Sequence, residues 1–315
     1  MKGPTNQLNI KDKSTPPISM LSVEEVLKSQ ILSNNYETEN NDAFFVADLG
    51  EIYRQHLRWK TYLPRVEPFY AVKCNGDPML LRLLAALGTG FDCASKNEIQ
   101  TVLDMGVSPS NIIYANPCKQ ASFIRFASEH DVKMITFDNA DELHKIKRLF
   151  PKAQLTALEL GLNVIGVSFH VGSGCYDENS YIDAIRRARF VFNQASEMGF
   201  DFHLLDVGGG FSFSHKSDEG ITFEKIAAVL GPAIDKHFPP NIRVIAEPGR
   251  YYAAPAFTIA THVIAKRTVC RDGNEEYVPS MNVDQSNVLA TKDDHPTFMY
   301  YINDGFIRLF QLHPL

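Results

Sequence analysis

A lysine closes the apolar run Phe69-Tyr70-Ala71-Val72 and is followed by Cys74 and Asn75. Pro68 to Val72 reads as a buried strand, which sets the Lys73 amine at the strand's C-terminal tip, the end where parallel α/β folds carry their chemistry. An amine removed from water holds its proton less tightly, so this placement predicts a depressed pKa and a nucleophile suited to a Schiff base. A strand-capping lysine accounts for the same stretch. Three more strand exits carry polar groups. His170-Val171-Gly172-Ser173-Gly174-Cys175 presents a flat ring and then glycines around a serine, either a tight turn or a close approach to phosphate. Gly208-Gly209-Gly210 is a flexible turn or a nest of unhindered N–H groups for an anion. Glu247-Pro248-Gly249-Arg250 sets a carboxylate and a guanidinium around an enforced turn, where a surface ion pair is the alternative. Asp92, Glu98 and Asp304, taken singly, read as solvated carboxylates or caps.

Together these fragments describe one ligand. Two glycine-rich exits and an arginine suit a phosphate, a lysine suits an aldehyde, a ring can stack, and a carboxylate can pair with a ring nitrogen. Pyridoxal phosphate meets that description better than a nucleotide. No GxGxxG opens a helix and no Walker pattern occurs, so NAD and ATP lack support.

The elements that must position these residues alternate strand and helix. Strands are expected at 67–73, 89–93, 111–114, 132–138, 164–170, 201–207 and 242–247. Helices are expected at 78–87, 95–105, 119–130, 140–150, 180–198 and 222–237. Ser95 to Glu98 reads as a capping box. A helix at 21–33, a short strand at 42–48 and a helix at 50–60 precede this series. Such alternation means a parallel sheet, and polar residues at nearly every strand end favour a closed barrel over an open sheet with one switch point. Seven strands are expected where a barrel of this class has eight, and Pro151 to Asn163 is too short for a strand plus a crossover helix. Tyr251 to Thr268 reads as one or two long strands, Asp272 to His295 as a polar surface loop, and Thr297 to Asp304 as a strand. The expected domains are an N-terminal segment at 1–42 whose first residues are flexible, a barrel at 43–253, and an incomplete β domain at 254–315.

The chain has 315 residues, a formal net charge of −6 and five cysteines without a CxxC pair. That charge argues against a nucleic-acid footprint. The cysteines read as reduced cytosolic thiols, without a disulfide frame or a zinc site. No apolar run reaches membrane-span length, and the polar start has no secretory core, so a cytoplasmic location is expected.

FYAVKCN, GFDCASKNE, HVGSGC, DVGGGF, EPGRYY and YYINDG, spread over Ala43 to Phe150 and Val164 to Asp304, are together specific. On them the chain resembles the ornithine decarboxylases of eukaryotes, fold-type III pyridoxal-phosphate decarboxylases with an alanine-racemase-like (β/α)8 barrel. The resemblance implies that Lys73 binds pyridoxal phosphate as a Schiff base, Glu247 pairs with the pyridine nitrogen, and His170 stacks on the ring. It places Asp92 and Glu98 around the lysine and ring substituents, and Ser173, Gly208, Gly209, Gly210 and Arg250 on the phosphate. It assigns Asp304 to the distal ammonium of ornithine, putrescine and CO2 being the products. Two departures from the family accompany it. One βα unit is missing at Pro151 to Asn163, and the residues after Gly305 no longer follow the family, whose later cysteine–aspartate motif and phosphate-contacting tyrosine are not found. The family is homodimeric, each site drawing on both protomers. Its antizyme-inhibitor relatives are a non-catalytic alternative, but those lose the aspartate of GFDCAS and the glycines of HVGSG, which are intact here. The helical region 119–147 corresponds to the family's antizyme-facing surface.

Overall fold

The computed structural model describes residues 19–33, 42–151, 163–175, 177–214, 221–269 and 297–304. The expectations for Met1 to Pro17, for Asp272 to His295 and for most of Pro151 to Asn163 fall outside the described residues. In chain order the elements begin with α1 (Val23–Ser33), β1 (Phe44–Ala47), α2 (Leu49–Tyr62), β2 (Val66–Ala71), α3 (Pro78–Ala86), β3 (Gly90–Cys93) and α4 (Lys96–Asp104). Next come β4 (Ile112–Tyr114), α5 (Ala121–Glu129), β5 (Met134–Ile135), α6 (Ala140–Leu149), β6 (Gly166–Ser168) and α7 (Glu178–Glu197). The series ends with β7 (Leu204–Asp206), α8 (Phe223–His237), β8 (Arg243–Ala246), α9 (Arg250–Ala253), β9 (Phe257–Ala260), β10 (Val263–Val269) and β11 (Thr297–Ile302).

These elements divide into two units. Asp48–Phe257 holds a parallel seven-stranded sheet in the order β5-β4-β3-β2-β8-β7-β6. That order is a (β/α) barrel opened between β5 and β6, with β2 beside β8 as barrel closure requires. The described strands of this parallel sheet therefore number seven, as the sequence pattern gives. In the other unit, Met1–Ala47 with Thr258–Leu315, β10 pairs antiparallel with β11 and β1 pairs with β9.

Two apolar layers hold the sheet. Phe69, Ile113, Met134, Ile165, Leu204 and Ile245 pack together as a small cluster of their own, the plug on the sheet's inner face. Gly90 leaves room for this plug, since a Cβ there would lie 2.6 Å from the Phe69 ring. The larger cluster fills the space between the outer face and the helices. Its centre is Trp59 of α2, fully buried, whose Nε1 donates to the Val66 carbonyl at 2.8 Å. Phe211, Phe223, Tyr251 and Tyr252 surround the indole with ring centres 4.8 to 6.4 Å away.

Of the one or two strands expected at Tyr251 to Thr268, two are present, at Phe257–Ala260 and Val263–Val269, and the packing around Trp59 corrects only the start. Arg250–Ala253 is helical and is followed by a 3-10 turn at Ala254–Ala256. Consecutive strand residues point to opposite faces. Tyr251 and Tyr252 must instead both reach Trp59, and a helical turn lets adjacent side chains enter one core. Lys119, expected within a helix surface, precedes α5 and is buried, its ammonium near Glu142 and bonded to the Thr136 carbonyl.

Trp59 is the sole tryptophan. Trp59→Ala should lower unfolding free energy by about 3–5 kcal/mol through the cavity it leaves. Urea unfolding followed by circular dichroism measures this, since fluorescence loses its probe.

Candidate active site

The register of the sheet sets the polar groups in rows. Ala71 of β2 aligns with Asp92 of β3, and Ser168 of β6 with Asp206 of β7. Side chains two residues apart on a strand share a face. Asp92 therefore stands above Gly90, Asp206 above the plug residue Leu204, and Glu247, just past β8, above Ile245. Lys73 lies beyond the strand in a 3-10 turn, Val72–Cys74, which swings its amine over Asp92. The Nζ to Asp92 Oδ2 distance is 2.9 Å, with Asp92 fully buried and the lysine half-exposed.

Asp206 is held from two sides. Its Oδ1 accepts from the Gly208 N–H at 2.9 Å and its Oδ2 from the Ser168 hydroxyl at 2.9 Å. It also hydrogen-bonds to the Glu247 carboxyl. Glu247 Oε1 and Asp92 Oδ1 are buried and have no partner. Burial pushes all three carboxyls up: Asp92 to about 7, with Lys73 pulling it back, and Glu247 well above the usual range, with Asp206 and Asp92 adding to the effect.

The two glycine-rich exits meet. A Cβ on Gly208 would fall 2.1 Å from the Phe169 carbonyl oxygen, and one on Gly210 2.8 Å from that of Gly172. Gly208 and Gly210 also adopt φ of +63° and +101°, a region open to glycine at little cost. His170 sits against the same bend, its Nε2 2.7 Å from where a Gly209 Cβ would be. Its Nδ1 accepts from the Gly172 N–H at 2.9 Å, which leaves the neutral ring's proton on Nε2. Burial, with Lys73 nearby, lowers its pKa.

Glu98 is buried in the first turn of α4 and within electrostatic reach of Lys73. The expected capping box is half made: Ser95 accepts from the Glu98 N–H, but Glu98 Oε2 accepts from Ala94 rather than from Ser95. Arg250 opens α9 beside Cys74, where it acts on the thiol. Ser173 is exposed in the turn after Gly172. Asp304, half-buried just past β11, belongs to the other unit.

Residues 49–157 and 153–254 match the family described as "pyridoxal-dependent decarboxylase, pyridoxal binding domain". The chain belongs to that family. Its two matched pieces meet at 153–157, between the edge strands β5 and β6. Ornithine decarboxylase of Mus musculus is 48% identical over 301 residues, covering 85% of this chain and 62% of that protein. The chain thus spans less than two thirds of that relative's length. Antizyme inhibitor 2 of Xenopus laevis is 46% identical over 312 residues, 89% of this chain and 65% of that one. Among solved structures, ornithine decarboxylase from Entamoeba histolytica superposes with a TM-score of 0.70 at 34% identity, covering 80% of this chain and 77% of that one.

The pocket fits a pyridoxal group on its own geometry. A buried carboxyl oxygen without a partner suits a protonated ring nitrogen, an amine lies within electrostatic reach of it, and the glycine bends pack so closely on Phe169, His170 and Gly172 that their backbone is left bare of side chains. Sequence reading missed Asp206 and Ser168. Asp206 opens DVGGGF and shares strand parity with Leu204, which was the available signal.

The expected depression of the Lys73 pKa is overturned. Burial does work against the ammonium, but Asp92, Glu247 and Glu98 outweigh it and hold the pKa above the ordinary lysine value. The depressed lysine is Lys119, which burial brings to about 8 although Glu142 opposes the shift. Asp92→Asn removes the strongest of the carboxyls on Lys73. Its amine should then be free at lower pH, so labelling by an amine-selective reagent, read by peptide mass spectrometry, should show its pH profile move down. An unmoved profile would show that Asp92 does not govern the proton.

Proposed function

We propose that this site serves the pyridoxal-phosphate-dependent decarboxylation of L-ornithine to putrescine and CO2, a step of polyamine biosynthesis. The observation that carries the reading is the buried, unpartnered Glu247 oxygen in the same polar cluster as the Lys73 amine. Identity to ornithine decarboxylases supports the substrate. Bound pyridoxal phosphate supplies an electron sink for the pair released when a carboxylate leaves an amino-acid Cα. The chain's residues do the rest. Lys73 holds the aldehyde carbon and Asp92 manages the Lys73 proton. Glu247 takes the ring nitrogen and keeps it protonated, a preorganised interaction of the kind worth about 10²–10³ in rate. His170 packs on the ring face, with Glu98 behind the lysine. Ser173, Gly208, Gly209, Gly210 and Arg250 hold the phosphate.

The family's homodimer and a cytoplasmic location belong to the same proposal. No helix among the described residues is long and apolar enough to cross a membrane. A second reading, antizyme binding without catalysis, draws on the antizyme-inhibitor relative. The intact Asp92 and the glycines of HVGSG argue for the enzyme. Lys119, being buried, offers no charge to an antizyme-facing surface.

The unaltered chain mixed with pyridoxal phosphate should develop a visible absorbance band and release CO2 from carboxyl-labelled ornithine. Lys73→Ala should abolish both, and an unchanged spectrum would remove Lys73 from its role. Capture of antizyme without CO2 release would favour the second reading.

A further inference from the structure

Asp206 has no part in the roles above, yet it is the best-anchored carboxylate of the cluster. Its two oxygens accept a backbone N–H and a hydroxyl, each at 2.9 Å. Glu247, its neighbour, has Oε1 buried without any donor. Two touching carboxyls in a dry site cannot both ionise, because the charges repel at low dielectric and neither is fully solvated. The proton must then reside where the anion is least supported, which is Glu247.

We propose that Asp206 is a positioning residue that acts through Glu247: fixed by Gly208 and Ser168, it serves as the permanent anion and keeps a proton on Glu247 in the unloaded pocket. That proton would be the one available to a basic ring nitrogen held by Glu247, with the Asp206 anion supporting Glu247 from its other side. The inference rests on the pyridoxal reading for its ligand, but the carboxyl pair is a property of the chain alone. Charged groups bearing on Glu247 are Asp206, Asp92 and Lys73, with His170 adjoining through the Gly209 bend. Burial first, then Asp206 and Asp92, raises the Glu247 pKa against the pull of Lys73, in the direction the geometry requires.

Infrared spectroscopy of the purified 315-residue chain without cofactor tests this. A protonated-carboxyl stretch that persists at neutral pH and vanishes in Glu247→Gln is expected. Asp206→Asn removes the like charge and should lower the pH at which the band is lost by at least about one unit. Ser168→Ala, at the sheet edge and less exposed to folding failure, removes a donor from the Asp206 anion and should move the shared proton toward Asp206, weakening the Glu247 band. A band that is unaltered in both variants overturns the proposal. So does pyridoxal phosphate that binds to the unaltered chain yet leaves the band in place, since the proton should pass to the ring nitrogen. If the unaltered chain fails to take up pyridoxal phosphate while the band and both variant shifts are as expected, the cofactor reading fails and the carboxyl pair stands.

Discussion

Three carboxyl groups buried around one ammonium govern this structure. Asp92, Asp206 and Glu247 are removed from water on the sheet's inner face, and Lys73 is the cation they share. Full ionisation would leave excess negative charge in a low-dielectric site, where repulsion between close charges is several times stronger than in water. The cluster therefore retains protons and holds the lysine charged. A neutral, ready nucleophile is not the resting state of such an arrangement. Lys73 is held in reserve by its neighbours, and its reactivity depends on where Asp92 lets the proton go.

What places these groups is strand parity over an apolar plug. Gly90 to Asp92, Leu204 to Asp206 and Ile245 to Glu247 are each a two-residue step up the same face, and the parallel register sets Asp206 level with Ile245, so that Glu247 stands one step above it. That much was legible in the sequence: the strand exits, their polar termini and the barrel architecture follow from apolar runs broken by charged or glycine residues. The state of Lys73 was not legible, because burial alone predicts a depressed pKa and the opposing carboxyls come from strands distant in the chain. Tyr251 and Tyr252 misled for a similar reason. They open a stretch whose Ala, Thr, Val and Ile content suits a strand, and only the Trp59 pocket, which both must enter, forces a helical turn.

The sheet's open side bears on the same cluster. Between β5 and β6 lies a cavity of about 260 Å³ lined by plug residues Ile113, Met134, Ile165 and Leu204, and it extends to Ser168 and Asp206. A closed barrel has no edges and a sealed interior. Among the described residues, this cavity reaches the anchored carboxylate. Sequence counting gave the seven strands described in this sheet, but that Asp206 borders the cavity beside β6 is visible only once the register is known.

The same electrostatics tie stability to the pocket's contents. A carboxyl whose pKa is raised on folding binds its proton more tightly in the native state than in the unfolded chain, so stability is lost as pH rises through the interval between the two values. For Asp92 that interval runs from 3.8 to about 7. Lys73 follows the same rule in a higher interval: its raised pKa contributes stability that is fully present below the ordinary lysine range and is lost as pH rises through the folded value. At neutral pH the carboxyls therefore strain the fold while the lysine relieves it, and a second cation among them would relieve it further. A protonated ring nitrogen is such a cation, so the acids that make the empty pocket costly are the same ones that make it selective.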